Sequence, residues 1–268
     1  MAQPALSQQI KQLERELGVQ LFDRTSRRVE PTESGQQFEQ HARTVLSSVD
    51  RAVEDMAMRA TGRAGRVIAG FIGTATYDVL PRVAREVRTS VPGVRLELRG
   101  EMLSPQLLEG LLDHTYDVVV LRPDRAVRPE IDLRSLRVER LVAVLPADHR
   151  LARRSSVDLA ELAEEPFVMH PSGHRSSMHE QVRAACAAAG FAPVEVSEVS
   201  ETATLVVFVA AGLGVALVPE PVRSLGLEGV VYVALTQPPE VELALALRRG
   251  EPSAAVRRVA SVVTSCLG

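Results

Sequence analysis

At 268 residues and 46% hydrophobic, the chain can bury a large core and has room for more than one domain. Its apolar runs fall short of the roughly 20 residues that cross a bilayer. The N-terminus has no basic, apolar, small-residue leader pattern, so no membrane partner is expected and the cytoplasm is the expected location. A net charge of −3 excludes a globally basic nucleic-acid binder, so any DNA footprint has to be local.

The first stretch, Gln3 to Thr32, predicts one amphipathic helix followed by a basic hairpin. Pro4 fits a first helical turn, where its missing N–H would be unpaired anyway, and Gly18 punctuates the far end. Leu6, Ile10, Leu13 and Leu17 fall on one apolar stripe, while Ser7, Gln8, Lys11, Gln12 and Arg15 populate the rest of the surface. Those polar side chains are of the kind that read base edges and phosphates. After Leu21 and Phe22, Arg24, Arg27 and Arg28 place three guanidinium groups in a turn-rich segment, which suggests a winged helix-turn-helix. By periodicity alone, an ordinary amphipathic helix with a solvated charged loop fits equally well.

The run QPALSQQIKQLERELGVQLFDRTSRRV followed by PTESG resembles the recognition helix, wing and linker start of LysR-type transcriptional regulators. The resemblance implies contacts to promoter DNA from Gln3, Pro4, Ser7, Gln8 and Lys11 on the helix and Arg27 on the wing, with Arg24 and Arg28 on phosphates. In that family two helices precede the recognition helix, and here Met1 stands almost directly before it. The expectation is an N-terminally truncated domain over 1–32, with a weakened grip on DNA because an isolated helix of this length is marginal in water.

Thr32 is a good N-cap for a helix running from Glu33 to about Ala60. Phe38, Ala42, Val45, Val49, Ala52 and Met56 recur at alternating steps of four and three, a heptad seam suited to a partner helix or to packing on its own domain. In the resembling family this linker pairs two subunits, which implies a homodimer or tetramer; RNA polymerase is a further partner that the family allows. Thr61 to Gly65 reads as a hinge, so 33–63 is the expected linker and 64–268 the remaining domain.

From Arg66 strands alternate with helices. Strands are predicted at Val67–Ile72, Val94–Leu98 and Asp117–Leu121, with helices at Asp78–Ser90 and Pro105–Leu112 between them. After Leu133 the pattern restarts: strands at Leu141–Leu145, Phe167–Met169, Val194–Val199 and Val215–Val218, with helices at Asp158–Ala163, Ser176–Ala189 and Glu201–Ala211. Strands at Val230–Ala234 and Val241–Leu247 and a helix from Pro252 to Leu267 complete the chain. The fold class is α/β: two lobes, each a parallel sheet covered on both faces. Cys186 and Cys266 fall in apolar helical patterns and read as reduced core thiols.

Two hinged α/β lobes bind small molecules between them, at strand ends and helix N-termini. Thr74 and Thr76 sit after the first strand, and Ser104-Pro105 opens the second helix. Thr74 and Ser104 can converge on one carboxylate, or merely cap their helices. GFIGTATYDVLP, the Glu101–Gln106 segment and VAAGLGVALVP are similar to the branch of the family that governs aromatic-compound breakdown. This implies a periplasmic-binding-protein-like, two-lobed effector domain and a small carboxylate effector, an aromatic acid or a muconate-like dicarboxylate. Carried over position by position, effector contacts fall on Thr74, Ser104, Ser176, Ser177 and Met178, with Arg122 as a second carboxylate-binding group.

Competing constellations are weaker. His170, His174 and His179 with Glu180 cluster without any HExxH or CxxC pattern, so no metal is expected; assistance to an anionic effector from His174 or Arg175 fits better. Gly212-Leu213-Gly214 ends a helix rather than starting one, against a dinucleotide. Glu164 and Glu165 read as a solvated turn, and no Ser-His-Asp or Cys-His set stands out, so neither a cofactor nor catalysis is expected. The sequence therefore points to a DNA-binding regulator controlled by a small carboxylate. The alternatives are an effector sensor that has lost DNA binding, and a solute-binding protein or enzyme of the same lobe architecture.

Overall fold

The computed structural model describes residues 3–24, 28–60, 65–123, 128–172, 176–194, 196–250 and 252–267, with residues 3–5, 24, 51, 54, 55, 57–60 and 196 described for their backbone alone. The chain divides into two compact units, Met1–Val53 and Glu54–Gly268. No helix among the described residues is long and apolar enough to cross a membrane.

The smaller unit holds helix α1 (Gln3–Leu17), a hairpin of β1 (Phe22–Arg24) and β2 (Val29–Pro31), and most of helix α2 (Glu33–Ala60). The hairpin is antiparallel, Asp23 opposite Glu30. The Glu14 carboxylate binds it to α1, accepting the backbone N–H groups of Leu21 at 2.9 Å and Phe22 at 3.2 Å. Leu21 is the buried anchor, 3% exposed. Thr32 caps α2, its hydroxyl accepting the Gly35 N–H at 2.9 Å while donating to the Gln20 carbonyl at 2.7 Å. Gly35 allows this turn to close, because a Cβ there would lie 2.0 Å from the Leu21 carbonyl oxygen. Along α2, Val45, Leu46, Val49, Val53 and Met56 remain more than half exposed, an apolar stripe left open among the described residues.

The larger unit begins with β3 (Gly65–Ile72), a short helix α3 (Gly73–Thr76) and α4 (Val79–Ser90). Then come β4 (Val94–Met102), α5 (Ser104–Leu112) and β5 (Val118–Leu121). β3 lies between β4 and β5, parallel to both, and the all-buried Val118–Leu121 run reflects a strand covered on each face. Strand β6 runs from Ile131 to Pro146, far longer than the predicted Leu141–Leu145, and feeds the second lobe. That lobe is built of β7 (Ser156–Val157), β8 (Phe167–Met169), α6 (Ser177–Ala188), β9 (Val196–Glu198), α7 (Thr202–Ala210), β10 (Ala216–Pro219) and β11 (Val230–Leu235). Strand β12 (Glu240–Arg248) and helix α8 (Ala254–Leu267) then return to the first lobe.

Two expectations need correcting. The sheets are mixed rather than parallel: β12 pairs antiparallel with β5 and β6, and β6 pairs antiparallel with β10 and β11. The lobes are not consecutive either, since β6 and β12 run side by side from Ile131–Arg248 to Arg140–Glu240 and belong to both. Their apolar residues show it. Ile131 and Leu245 lie in the first core, Leu141 and Val241 in the second, while Val142 and Val144 face a third on the other side of the sheet. The twin strands carry the chain between the lobes, paired antiparallel with one irregularity between Leu243 and Ala244, so that the backbone groups crossing between cores are largely bonded to each other.

Candidate functional site

The first lobe offers two chain ends side by side, where β3 passes into α3 and β4 into α5. Thr74 and Ser104 are each 2% exposed. Neither caps a helix: α3 starts after Ile72 and α5 after Leu103, without a cap bond from either hydroxyl, because both are used elsewhere. The Thr74 hydroxyl accepts from Arg122 Nη2 at 3.2 Å, and the Ser104 hydroxyl accepts the Arg122 backbone N–H at 3.2 Å. Arg122 directly follows β5, with its side chain fully buried. Its guanidinium bonds Glu139 of β6 and donates to the Glu242 carbonyl at 3.2 Å, leaving Nε without a partner. Burial lowers its pKa, opposed by the Glu139 carboxylate. Arg122 thus arrives already neutralised, gripping both crossover strands and Thr74 together.

The second lobe faces this with the start of α6. Ser104 Oγ lies 3.4 Å from Ser177 Oγ, hydroxyl to hydroxyl across the lobes. Ser176 is buried beside it, 4% exposed, whereas the Met178 side chain packs into the core of the second lobe. Of the sequence-derived set, Thr74, Ser104, Arg122 and Ser177 are therefore linked by direct contacts, and Met178 belongs to the core.

The histidines of the second lobe differ in their surroundings. His179 Nδ1 bonds the His170 carbonyl at 2.8 Å, His174 and Arg175 lie outside the described residues, and no group among the described residues is arranged to hold a metal. His170, 6% exposed, reaches the Thr202 hydroxyl at 3.5 Å. Burial depresses its pKa to about 4, helped by Arg122 and His179, so the ring is neutral at pH 7. Glu164 is exposed in a turn, as expected, while the partly exposed Glu165 bonds His149 Nε2 at 3.0 Å and Arg150 at 3.4 Å. Sequence reasoning missed Glu101, Glu139 and Thr202. Glu101 Oε2 accepts the Thr202 N–H from the other lobe at 3.0 Å, and burial raises its pKa. The sequence signals for these residues were faint, because a charge on an alternating strand reads as solvent-facing until the topology covers it.

An open cavity of about 640 Å³ adjoins the Arg122–Glu139 pair, lined by Glu139 and by further groups of both charges, among them Asp78, Arg82, Arg137, Glu220 and Arg223. Arg137 there is paired with Asp78 at 2.7 Å and with Glu139.

In the smaller unit Ser7, Gln8 and Lys11 lie exposed along α1, and exposed Arg28 pairs with Glu30 at 3.3 Å. Arg27 lies outside the described residues, and of Gln3, Pro4 and Arg24 only the backbone is described.

A polar contact between two lobes in the larger unit and a helix with a strand hairpin in the smaller one are the parts of a ligand-responsive DNA-binding regulator, and the comparisons identify the class. The sequence matches the family models for the LysR substrate binding domain over residues 60–266 and for the bacterial regulatory helix-turn-helix protein, lysR family, over residues 1–36. The chain belongs to the LysR family of transcriptional regulators. It is 35% identical over 237 residues to the HTH-type transcriptional regulator AlsR of Bacillus subtilis, covering 88% of this chain and 78% of that one. BenM of Acinetobacter baylyi is 34% identical over 256 residues, 94% of this chain and 83% of BenM. The solved BenM effector binding domain with its effector benzoate superposes with a TM-score of 0.66 at 28% identity, over 75% of this chain and 90% of that domain. The fold is also that of CbnR, with a TM-score of 0.79 at 24% identity over 100% of this chain and 91% of that one. The chain is accordingly a transcriptional regulator with an effector-binding domain.

Proposed function

We propose that this regulator is controlled by a small carboxylate, an aromatic acid or a muconate-like dicarboxylate, held between the lobes by the hydroxyls of Thr74, Ser104, Ser176 and Ser177. The observation that carries the reading is the 3.4 Å approach of Ser104 to Ser177 from opposite lobes, beside Thr74. Hydroxyls and helix N-terminal N–H groups bind an anion without needing a free cation. Arg122 acts in this reading as the residue that holds Thr74 in place rather than as a direct ligand. The benzoate complex of BenM supports an aromatic acid by similarity.

On DNA, the reading assigns base and phosphate contacts to Gln3, Pro4, Ser7, Gln8, Lys11, Arg24, Arg27 and Arg28. It takes 1–32 as the DNA-reading part, 33–63 as the linker that joins subunits into a dimer or tetramer, and 64–268 as the effector domain. RNA polymerase is the downstream partner. The effector shifts the lobes between two closures, and the assembly passes that change to the DNA-reading ends.

Calorimetric titration of the full chain with benzoate and with cis,cis-muconate tests the effector class. Thr74→Val is expected to weaken binding of the responsive acid by about tenfold, the worth of one hydrogen bond to a charged group. Heat from neither acid, or unchanged binding by Thr74→Val, overturns the assignment.

A further inference from the structure

Strand β4 does something unusual at its end. Its pairing with β3 shifts register between Gly70 and Ile72, so that β4 carries one residue more than its partner over Arg99–Met102. Within that bulge Glu101 adopts φ +55°, a left-handed conformation that costs a side-chain-bearing residue on the order of 1 kcal/mol. The conformation is held from below, where the Thr76 hydroxyl accepts the Glu101 N–H at 3.0 Å. The bulge re-aims the Glu101 side chain out of its own lobe.

The target is helix α7. Its N-cap residue, Glu201, makes no side-chain capping bond, so the ordinary local acceptor for the first N–H groups of the helix is not used. Glu101 Oε2 supplies one, accepting the Thr202 N–H at 3.0 Å, while Oε1 accepts the Tyr77 hydroxyl proton. A carboxylate suits a helix N-terminus in charge as well as in hydrogen bonding. Gly73 makes room for the contact: a Cβ there would fall 2.7 Å from Thr202 Oγ1 and 2.8 Å from Glu101 Oε2. A strained residue, a bulge, a missing cap and a glycine clearance thus converge on one bond between lobes.

We propose that Glu101 is a positioning residue for effector binding, a latch that caps α7 of the opposite lobe and so sets how firmly the two lobes close. Opening the lobes uncaps α7 and strands Thr202, whereas closing satisfies both. Glu101 need not touch the effector to govern its site, because Gly73, one residue before Thr74, lies against the latch.

The test reads the latch without any effector, so its failure is separate from failure of the effector assignment. Hydrogen–deuterium exchange on the full chain compares amides at the start of α7 with control peptides in α4 and α8, in wild type, E101A and E101Q. In parallel, dyes on Arg88→Cys and Arg183→Cys in a C186S/C266S background report lobe separation by energy transfer. Loss of a charged cap is expected to speed exchange at Thr202–Leu205 about tenfold in E101A, with controls unchanged and transfer reduced. E101Q keeps an acceptor oxygen and is expected to fall between. Unchanged exchange or unchanged transfer in a folded E101A overturns the proposal. If E101A also loses protection in α4 and α8, E101Q decides: a selective rise at α7 supports the latch, and no rise overturns it.

Discussion

Arg122 and Glu139 show how a buried charge can be structural and still serve a site. Their side chains are 0% and 4% exposed, and the pair joins β5 to β6 while Arg122 also reaches β12 and Thr74. Removing one partner leaves the other charge buried and uncompensated. Glu139→Gln is expected to cost about 3 kcal/mol in urea unfolding of the larger unit. His170 carries the opposite lesson, a titratable group buried neutral. Its folded pKa of about 4 lies below the ordinary 6.5, so the unfolded chain takes up the proton first as pH falls. Stability from this group is full above pH 6.5 and is lost progressively down to about pH 4. Between pH 7 and pH 5 wild type should lose about 2 kcal/mol more than His170→Gln, measured by urea unfolding at both values. Equal losses would mean that His170 titrates normally.

Among elements, helix α2 raises the sharpest expectation. Five large apolar residues on it, from Val45 to Met56, are more than half exposed among the described residues. At about 25 cal/mol per Å² such a stripe is worth several kcal/mol when paired with a second helix. Val49→Glu is therefore expected to shift the protein toward monomer in sedimentation velocity and to weaken DNA binding with it. Persistence of the wild-type oligomer would place the subunit contact elsewhere. The cap at the start of α2 is independent of this seam, since Thr32 bonds Gly35 within the smaller unit.

For the whole molecule, the balance of charge decides how it meets DNA. A net charge of −3 gives no general attraction, so the proposed DNA contacts have to come from a few local groups such as those assigned in the smaller unit. If Lys11 and Arg28 contact phosphates, replacing either by Ala should weaken binding to the promoter fragment at every sequence alike and lower the salt slope by about one. Fluorescence anisotropy at several salt concentrations reads both. An unchanged slope would remove that residue from the phosphate set.

Periodicity alone located most elements of this chain, from the α1 stripe through the Val118–Leu121 strand to α8, because each buries a face whose spacing is local. Thr32 could also be read as a cap, since a cap acts within one turn. The candidate site residues Thr74, Ser104 and Ser177 came from strand ends, helix starts and the family resemblance, and their bonding partners could not be foreseen. What only the tertiary structure decided is which distant groups meet. β6 crosses both cores instead of starting in the second, Arg122 spends its charge on Glu139, and Glu101 leaves its strand to cap a helix about a hundred residues later. The physical reason is the same in each case: a hydrogen bond or ion pair between residues distant in sequence has no period and no local signature, and its partners are chosen by the packing of whole elements.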